Sequence, residues 1–492
     1  MDELMVLKSK INQSFTLSND SLAHLNQDIL KPKYDRALLS PGIIHIGVGN
    51  FHRAHQAVYL DEYLNNNKDL RWGIIGVNLR QSESDNLNSL KERGGKYVLK
   101  TISTTGVIKF NEIHSIIGLY DWSKNQKEAE LILNNPDIEI LTMTITETGY
   151  YISGTGELNT KLDIVKNNIE GKEKTIIYSY LHHALNVRKN TCNKPITLLC
   201  CDNIRENGVM LQKTFRTYLE ACNDQELIEW IEKNVTFPSC VVDRITPRAP
   251  DSLADEIKTE FAIDEKCSVM AEPFIQWIIE DNFIGKRPEL EKVGVQFVDN
   301  VFPYEEAKIR ILNGGHVALS YFGALKGYDT YDEAINDYEL QNYFFRLQRN
   351  EIIPGLGKNI PFDLEEYLLK IFDRFRNENI GDKLERIAMD GVGKFPIFIL
   401  PTIKNCFQKN IIPTNAIDSI ASWYVFMKKI DMKKLNFNYH EPSWDWVKKF
   451  LSENKVNDFV NSSELWGNIP QKYFDFCIIL NKRISELSKI YL

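Results

Sequence analysis

The chain has no Cys-x-x-Cys pair: its eight cysteines are scattered from Cys192 to Cys477, with only Cys200 and Cys201 adjacent. That scatter predicts neither a disulfide framework nor a zinc cluster, and the thiols read as buried or surface groups in a reducing compartment. No run of about 18 apolar residues is present, so no membrane-spanning helix is expected. The opening residues Met1-Asp2-Glu3-Leu4 are acidic and lead into no apolar segment; no secretory signal is expected, and a cytoplasmic location follows. An excess of positive charge is missing too. With a formal net charge of −8 and a pI near 5.7, the chain lacks the concentrated Lys and Arg that grip phosphates, which excludes nucleic acid as an expected partner. Repeats, low-complexity tracts and Gly/Ser linkers are also absent, which argues against a solenoid or a tethered scaffold.

What is present is the composition of a globular protein, 43% hydrophobic and 26% charged over 492 residues, enough for two or three domains at roughly 100–200 residues each. The first forty residues are polar and broken by Pro32, and read as an N-terminal arm. Ile43 to Ile46 is a short apolar run ending in Gly47, and Ala54, Val58, Leu60 and Leu64 then recur at helical spacing. A second run, Gly73-Ile74-Ile75-Gly76-Val77, arrives one crossover later, so the pieces fit a βαβ unit with parallel strands. Residues 97–110, interrupted by Thr104-Thr105-Gly106, read as a hairpin; 138–145 and 196–201 are further β-rich runs separated by a helical stretch over 176–187. A doubly wound sheet is the simplest assembly. From about Pro303 the pattern turns to long helical segments at 304–325, 364–376 and 444–453, predicting a second, mainly helical domain packed against the first.

Two stretches carry chemistry. The first, Gly47-Val48-Gly49-Asn50-Phe51-His52-Arg53-Ala54-His55, follows a strand and opens a helix. In that setting Gly47 permits a tight turn, Gly49 a close approach of backbone to a pyrophosphate, and the helix start offers amide donors. The third glycine of the dinucleotide pattern is missing, so spacing alone leaves open a plain glycine turn. After the second strand, Asn78-Leu79-Arg80-Gln81 holds no acid for a ribose; Glu83 and Asp85 follow, and Arg80 suits a 2′-phosphate, which leaves NAD against NADP undecided.

The second stretch is Glu305-Glu306-Ala307-Lys308-Ile309-Arg310-Ile311-Leu312-Asn313-Gly314-Gly315-His316. At about 100° per residue, Lys308, Asn313, His316 and Glu305 share an arc of roughly 140°. A solvated polar stripe would look the same, but two adjacent glycines cost a helix interior about 1 kcal/mol each, and a solvent-facing helix gains nothing in return. An amine, an amide and an imidazole on one face suit alcohol oxidation, which needs a proton acceptor, a donor to the developing alkoxide and a hydroxyl-orienting group.

Together with Thr144-Ile145-Thr146-Glu147, Cys201-Asp202-Asn203 and Val242-Asp243-Arg244-Ile245-Thr246-Pro247, these stretches resemble the polyol-specific long-chain dehydrogenase/reductase family, from about Leu17 to Phe407. The resemblance implies a Rossmann-type N-terminal domain over 1–296 and a helical substrate domain over 297–492, with catalysis between them. It implies a metal-independent, NAD-linked oxidoreductase, with NADP left open, that interconverts a sugar alcohol and its ketose, expected to be D-mannitol and D-fructose. By resemblance Lys308 is the base, Asn203 and Asn313 bind the alkoxide, His316 orients substrate, and Glu305 relays the proton. Asp243, Arg386 and Lys394 contact the polyol; Gly47, Val48, Gly49, Asn50, Phe51, Arg53 and Glu147 hold the cofactor. A monomer is expected. A fructuronate-type sugar-acid reductase or a D-arabinitol dehydrogenase would share this machinery, and a non-catalytic dinucleotide sensor is the rival of another class. Gly314-Gly315 stands where relatives carry other small residues.

Overall fold

The computed structural model describes residues 29–492 apart from 68, 154, 155, 358 and 453. Most of the expected N-terminal arm lies outside the described residues. Its visible end runs along the first domain, where Arg36 donates to the Ile116 carbonyl at 2.6 Å.

Twelve strands are present among the described residues: β1 (Pro41–Ile46), β2 (Gly73–Asn78), β3 (Tyr97–Ile102), β4 (Ile108–Ile113), β5 (Ile116–Asp121), β6 (Ile140–Met143), β7 (Ile196–Cys200), β8 (Val235–Thr236), β9 (Cys240–Asp243), β10 (Val269–Ala271), β11 (Gln276–Glu280) and β12 (Gln296–Val298). Six form one parallel sheet in the order β5-β2-β1-β6-β7-β8. β2, β6 and β7 are buried throughout, as strands covered on both faces must be, which explains why they read as continuous apolar runs. Alternate residues of β1 feed two cores: Ile44 and Ile46 pack with Leu181 and Leu211, and Ile43 with Leu60 and Tyr63. The sheet is doubly wound. The expected hairpin is β3–β4, antiparallel and joined to β10 in a second sheet; β12-β11-β9 is a third.

The helix expected after β1 is two helices, α1 (Asn50–Ala54) and α2 (Gln56–Asn66), broken at His55, whose φ of −129° and ψ of −88° are not helical. The buried His55 ring bonds the Gln276 carbonyl at 2.8 Å, which ties the break to the neighbouring strand β11.

The second half is helical. Helix α3 (Phe302–Ala307) runs without interruption into a π-helical segment, Lys308–Asn313, and then into α4 (Gly314–Lys326). Eleven of the thirteen residues of α4 are buried, so its apolar surface goes all round and must be enclosed by other helices. One of those is α7 (Thr414–Asp431), itself covered by α8 (Phe474–Tyr491). The last eighty residues thus hold the lysine helix in place. Between them run α5 (Leu364–Phe375) and α6 (Leu384–Ala388). The helix expected over 444–453 is a short α turn, Trp444–Val447, followed by a 3-10 turn, Lys448–Leu451. No helix among the described residues is long and apolar enough to cross a membrane.

Candidate active site

The strand order reverses between β1 and β6, and the loops leaving their carboxyl ends meet there, which is where open α/β sheets bind ligands. Gly47 has φ +89°, and a Cβ on it would lie 2.0 Å from the Thr144 carbonyl oxygen; only glycine closes this turn. At Gly49 the reverse holds: a Cβ there would meet nothing within 4 Å. Protein packing does not demand a glycine at that point, whereas a ligand lying flat on the backbone would. The space above it is a cavity of about 740 Å³ lined in part by Gly47, Val48, Gly49, Asn50, Arg53, Arg80 and Ile145. Its size and glycine floor fit a dinucleotide.

Phe51 is not part of that lining; its ring stacks on His55 at 4.9 Å, and the aromatic pair packs into the first domain. Glu147 is exposed on the turn after β6, outside the lining, and its charge acts on Lys308 and Lys394. Arg53 lines the cavity but is partly committed to protein, donating to the Cys267 carbonyl and, at 2.7 Å, to Asn50 Oδ1. Asn78 is fully engaged, donating to the Arg80 carbonyl at 2.8 Å and to Asp121 at 3.1 Å while accepting from the Arg80 amide. Arg80 reaches across the switch point to the Ile145 carbonyl at 3.0 Å.

Asp202, which sequence reasoning did not single out, shapes the floor beside this cavity. It accepts from the amides of Ile145 at 3.0 Å and Thr146 at 2.9 Å and from the Tyr150 hydroxyl at 2.6 Å. Thr146 has φ +70°, a conformation a β-branched residue adopts only when its surroundings impose it. Burial pushes the Asp202 carboxyl up to about 6 against those bonds.

Next along the chain, Asn203 accepts a hydrogen bond from Lys308 Nζ. The contact joins the carboxyl end of β7 to the π segment across the two halves of the protein. Lys308 is buried, and burial depresses its amine below the ordinary lysine value; Arg374 pushes the same way, while Asp243, Glu305 and Glu147 resist. The π segment alters the expected face. On an α-helix Lys308 and Asn313 would stand about 140° apart, but a π turn bonds residues five apart and brings them closer to one face. Asn313 is half buried and its amide has no hydrogen-bond partner among the described residues, which leaves it available to a ligand.

Glu305, one turn before Lys308, accepts from the Glu206 amide at 2.9 Å through Oε1, while its buried Oε2 has no partner among the described residues. Burial raises this carboxyl to about 7, so it exchanges protons near neutrality. His316 is held neutral, pushed down to about 3 by burial; its ring lies between Phe375 and Tyr331, with Nε2 3.6 Å from Asp382. Arg386 is exposed and grips Asp382 through two nitrogens. Lys394 donates to the Ile387 carbonyl at 2.8 Å and is lowered to about 8, first by burial and then by Arg386.

Arg374 is the chief residue that sequence reasoning missed. It rises from α5 into the first domain, bonds Asp243 through two nitrogens at 2.8 and 2.9 Å and Glu272 at 2.7 Å, and lies 4.0 Å over the Phe274 ring. Burial alone would raise the Asp243 carboxyl; the Arg374 charge and its bonds reverse that and hold it below the usual value. Among the described residues, no group of three or more His, Cys, Asp or Glu is placed to hold a metal ion.

Known proteins share this organisation. Residues 41–292 match the mannitol dehydrogenase Rossmann domain and 300–477 the mannitol dehydrogenase C-terminal domain. A D-arabinitol 4-dehydrogenase of Klebsiella pneumoniae is 36% identical over 450 residues, 90% of this chain and 97% of that protein. A polyol:NADP oxidoreductase of Gluconobacter oxydans is 33% identical over 481 residues, 96% of this chain and 98% of that one. The structure of Pseudomonas fluorescens mannitol 2-dehydrogenase in ternary complex with NAD and D-mannitol superposes with a TM-score of 0.85 at 32% identity, covering 96% of this chain and 97% of the other. With both halves matched and the sheet, loops and lysine helix in place, the chain belongs to the mannitol dehydrogenase family and is a polyol dehydrogenase.

Proposed function

We propose that the protein interconverts D-mannitol and D-fructose with NAD, using Lys308 as general acid and base, with residues 1–296 holding the cofactor and 297–492 completing the substrate site. The observation that carries this reading is the buried Lys308 amine bonded to Asn203 where the two halves meet. Both sides of the cleft come from one chain, which supports a monomer as the working unit.

Gly47, Val48, Gly49, Asn50 and Arg53 would hold the dinucleotide. When bound, its nicotinamide ring supplies the acceptor of hydride in oxidation and the donor in reduction. In the oxidative direction Lys308, in its neutral form, takes the proton of the reacting hydroxyl as the carbon gives up hydride. The Asn203 and Asn313 amides donate to the oxygen while it is negative and carry the charge stabilisation. Glu305, poised near neutrality with one free oxygen, takes the proton onward from Lys308 toward water. Neutral His316 offers a ring nitrogen to a neighbouring hydroxyl without adding charge. Removing one preorganised donor typically costs about 10²–10³ in rate; Asn313→Ala is accordingly expected to lower kcat about 10²-fold while the Kd for NAD, read by fluorescence titration, stays within a factor of two.

The pH dependence has a fixed sign. A neutral amine accepts a proton and a charged one donates it, so polyol oxidation quickens as pH rises through the depressed pKa of Lys308 and ketose reduction quickens as pH falls through it. Profiles of kcat/KM in both directions check this, and parallel profiles would contradict it.

Nicotinamide absorbance with D-mannitol, D-arabinitol and other polyols, each with NAD and NADP, tests substrate and cofactor together. The highest kcat/KM is expected for D-mannitol with NAD. A larger value for D-arabinitol would favour the second reading, which rests on the 36% identity to the Klebsiella enzyme. A sugar acid is disfavoured because Arg386 already holds the Asp382 carboxylate through two nitrogens and so is not a free clamp for a substrate carboxylate.

A further inference from the structure

The π segment needs an explanation of its own. A π turn is rare because the α ladder packs better, and slipping the register by one residue would restore an α-helix. That slip would carry Asn313 away from Lys308 by about 100° for each residue.

At the junction where the π segment returns to α, the Gly314 amide is shared between the Ile309 and Ile311 carbonyls. Gln348, from the neighbouring helix, donates its side-chain Nε2 to that same Ile311 carbonyl at 2.8 Å, with the glutamine fully buried. A side chain inserted into the backbone ladder is one of the recognised causes of a local departure from regular α-helix. Gly315 makes the insertion possible: a Cβ there would lie 2.4 Å from Gln348 Nε2 and 2.7 Å from the Phe344 ring. Gly314 likewise lets the Phe398 carbonyl come within 2.9 Å of where its Cβ would be. The paired glycines therefore serve the approach of Gln348 and Phe398. The glutamine is anchored in turn, since it begins a second π segment, Gln348–Ile352, whose Glu351 accepts from the Asn415 and Ala416 amides at 2.7 and 2.8 Å at the start of α7. The Oε1 of Gln348 is buried with no partner among the described residues. Filling space there would be better done by an apolar side chain of the same length, so it is the donor that the site uses.

We propose that Gln348 is a positioning residue: by donating to the Ile311 carbonyl through the gap left by Gly315, it holds the π register that brings Lys308 and Asn313 to one face. The proposal rests on the reading of Lys308 as proton acceptor and Asn313 as oxygen-binding amide.

The test compares full-length wild type, Gln348→Leu and Gln348→Glu with NAD and D-mannitol. Misplacement of a reacting group by about 1 Å can cost on the order of 10²-fold; Gln348→Leu is expected to lose about that much kcat while binding NAD within twofold of wild type. A protonated glutamic acid offers an O–H where glutamine offers N–H, and an ionised one offers none. Gln348→Glu activity relative to wild type is therefore expected to rise as pH falls, whereas the Gln348→Leu ratio stays flat. Should Gln348→Leu fail to fold, the Gln348→Glu ratio carries the test. Wild-type kcat in Gln348→Leu, a loss matched by an equal loss of NAD-binding sites, or a pH-independent Gln348→Glu ratio would each overturn the proposal. These outcomes are separable from the proposed function: near-normal turnover in Lys308→Ala defeats the mechanism whatever Gln348 does, and an inactive Lys308→Ala beside a fully active Gln348→Leu defeats this inference alone.

Discussion

Lys308→Ala is expected to lower kcat for polyol oxidation by about 10⁴-fold, at the upper end of what a positioned acid/base contributes. Two features put the expectation there. Lys308 is a buried amine that bonds Asn203 and feels the Asp243 carboxylate, and its loss also frees Asn203 to turn from the position in which it would meet the substrate oxygen. Cofactor binding should be spared, because the cavity over Gly49 is lined by loops of the first domain and not by the π segment. Steady-state rates and NAD titration on the same preparation measure both, and a variant that lost NAD binding in proportion to turnover would point to a folding defect instead.

The second large effect belongs to Arg374. Removing one partner of a buried ion pair leaves the other charge uncompensated, at about 3–5 kcal/mol. Here two carboxylates are left, Asp243 and Glu272, both buried and both facing the same guanidinium. Arg374→Met is therefore expected to lose at least about 3 kcal/mol in denaturant unfolding and to loosen the junction on which Lys308 depends. Arg374→Lys should recover only part of it, since an ammonium cannot reproduce the fork that bonds Asp243 through two nitrogens. An Arg374→Met protein as stable as wild type would show that the cluster is not what fixes the two halves together.

Much of the fold can be read directly in the sequence. The apolar runs of β1, β2, β6 and β7 are continuous because both faces of that sheet are covered, and the glycine turn of β1 is written in Gly47. The lysine stretch stands out through its glycines. What was hidden has specific causes. A period of 3.6 is built into any helical-face argument, so the π segment escaped it, although Gly314-Gly315 was the visible trace of the close contact with Gln348 and Phe398. His55 breaks the first helix because of a bond to Gln276, 221 residues away, and nothing local announces it. Arg374 sat on an expected helix as one charged residue among several; its partners lie 131 and 102 residues back along the chain, and only folding pairs them.

Chemical rescue addresses the role of Lys308 most directly. The Lys308→Ala enzyme, saturated with NAD and D-mannitol, is followed by nicotinamide absorbance as small primary amines such as methylamine are added. If the missing amine is the proton acceptor, the rate of nicotinamide reduction should climb with the concentration of free-base amine and not with its protonated form. Turnover that is already near wild type without amine would remove Lys308 from the chemistry.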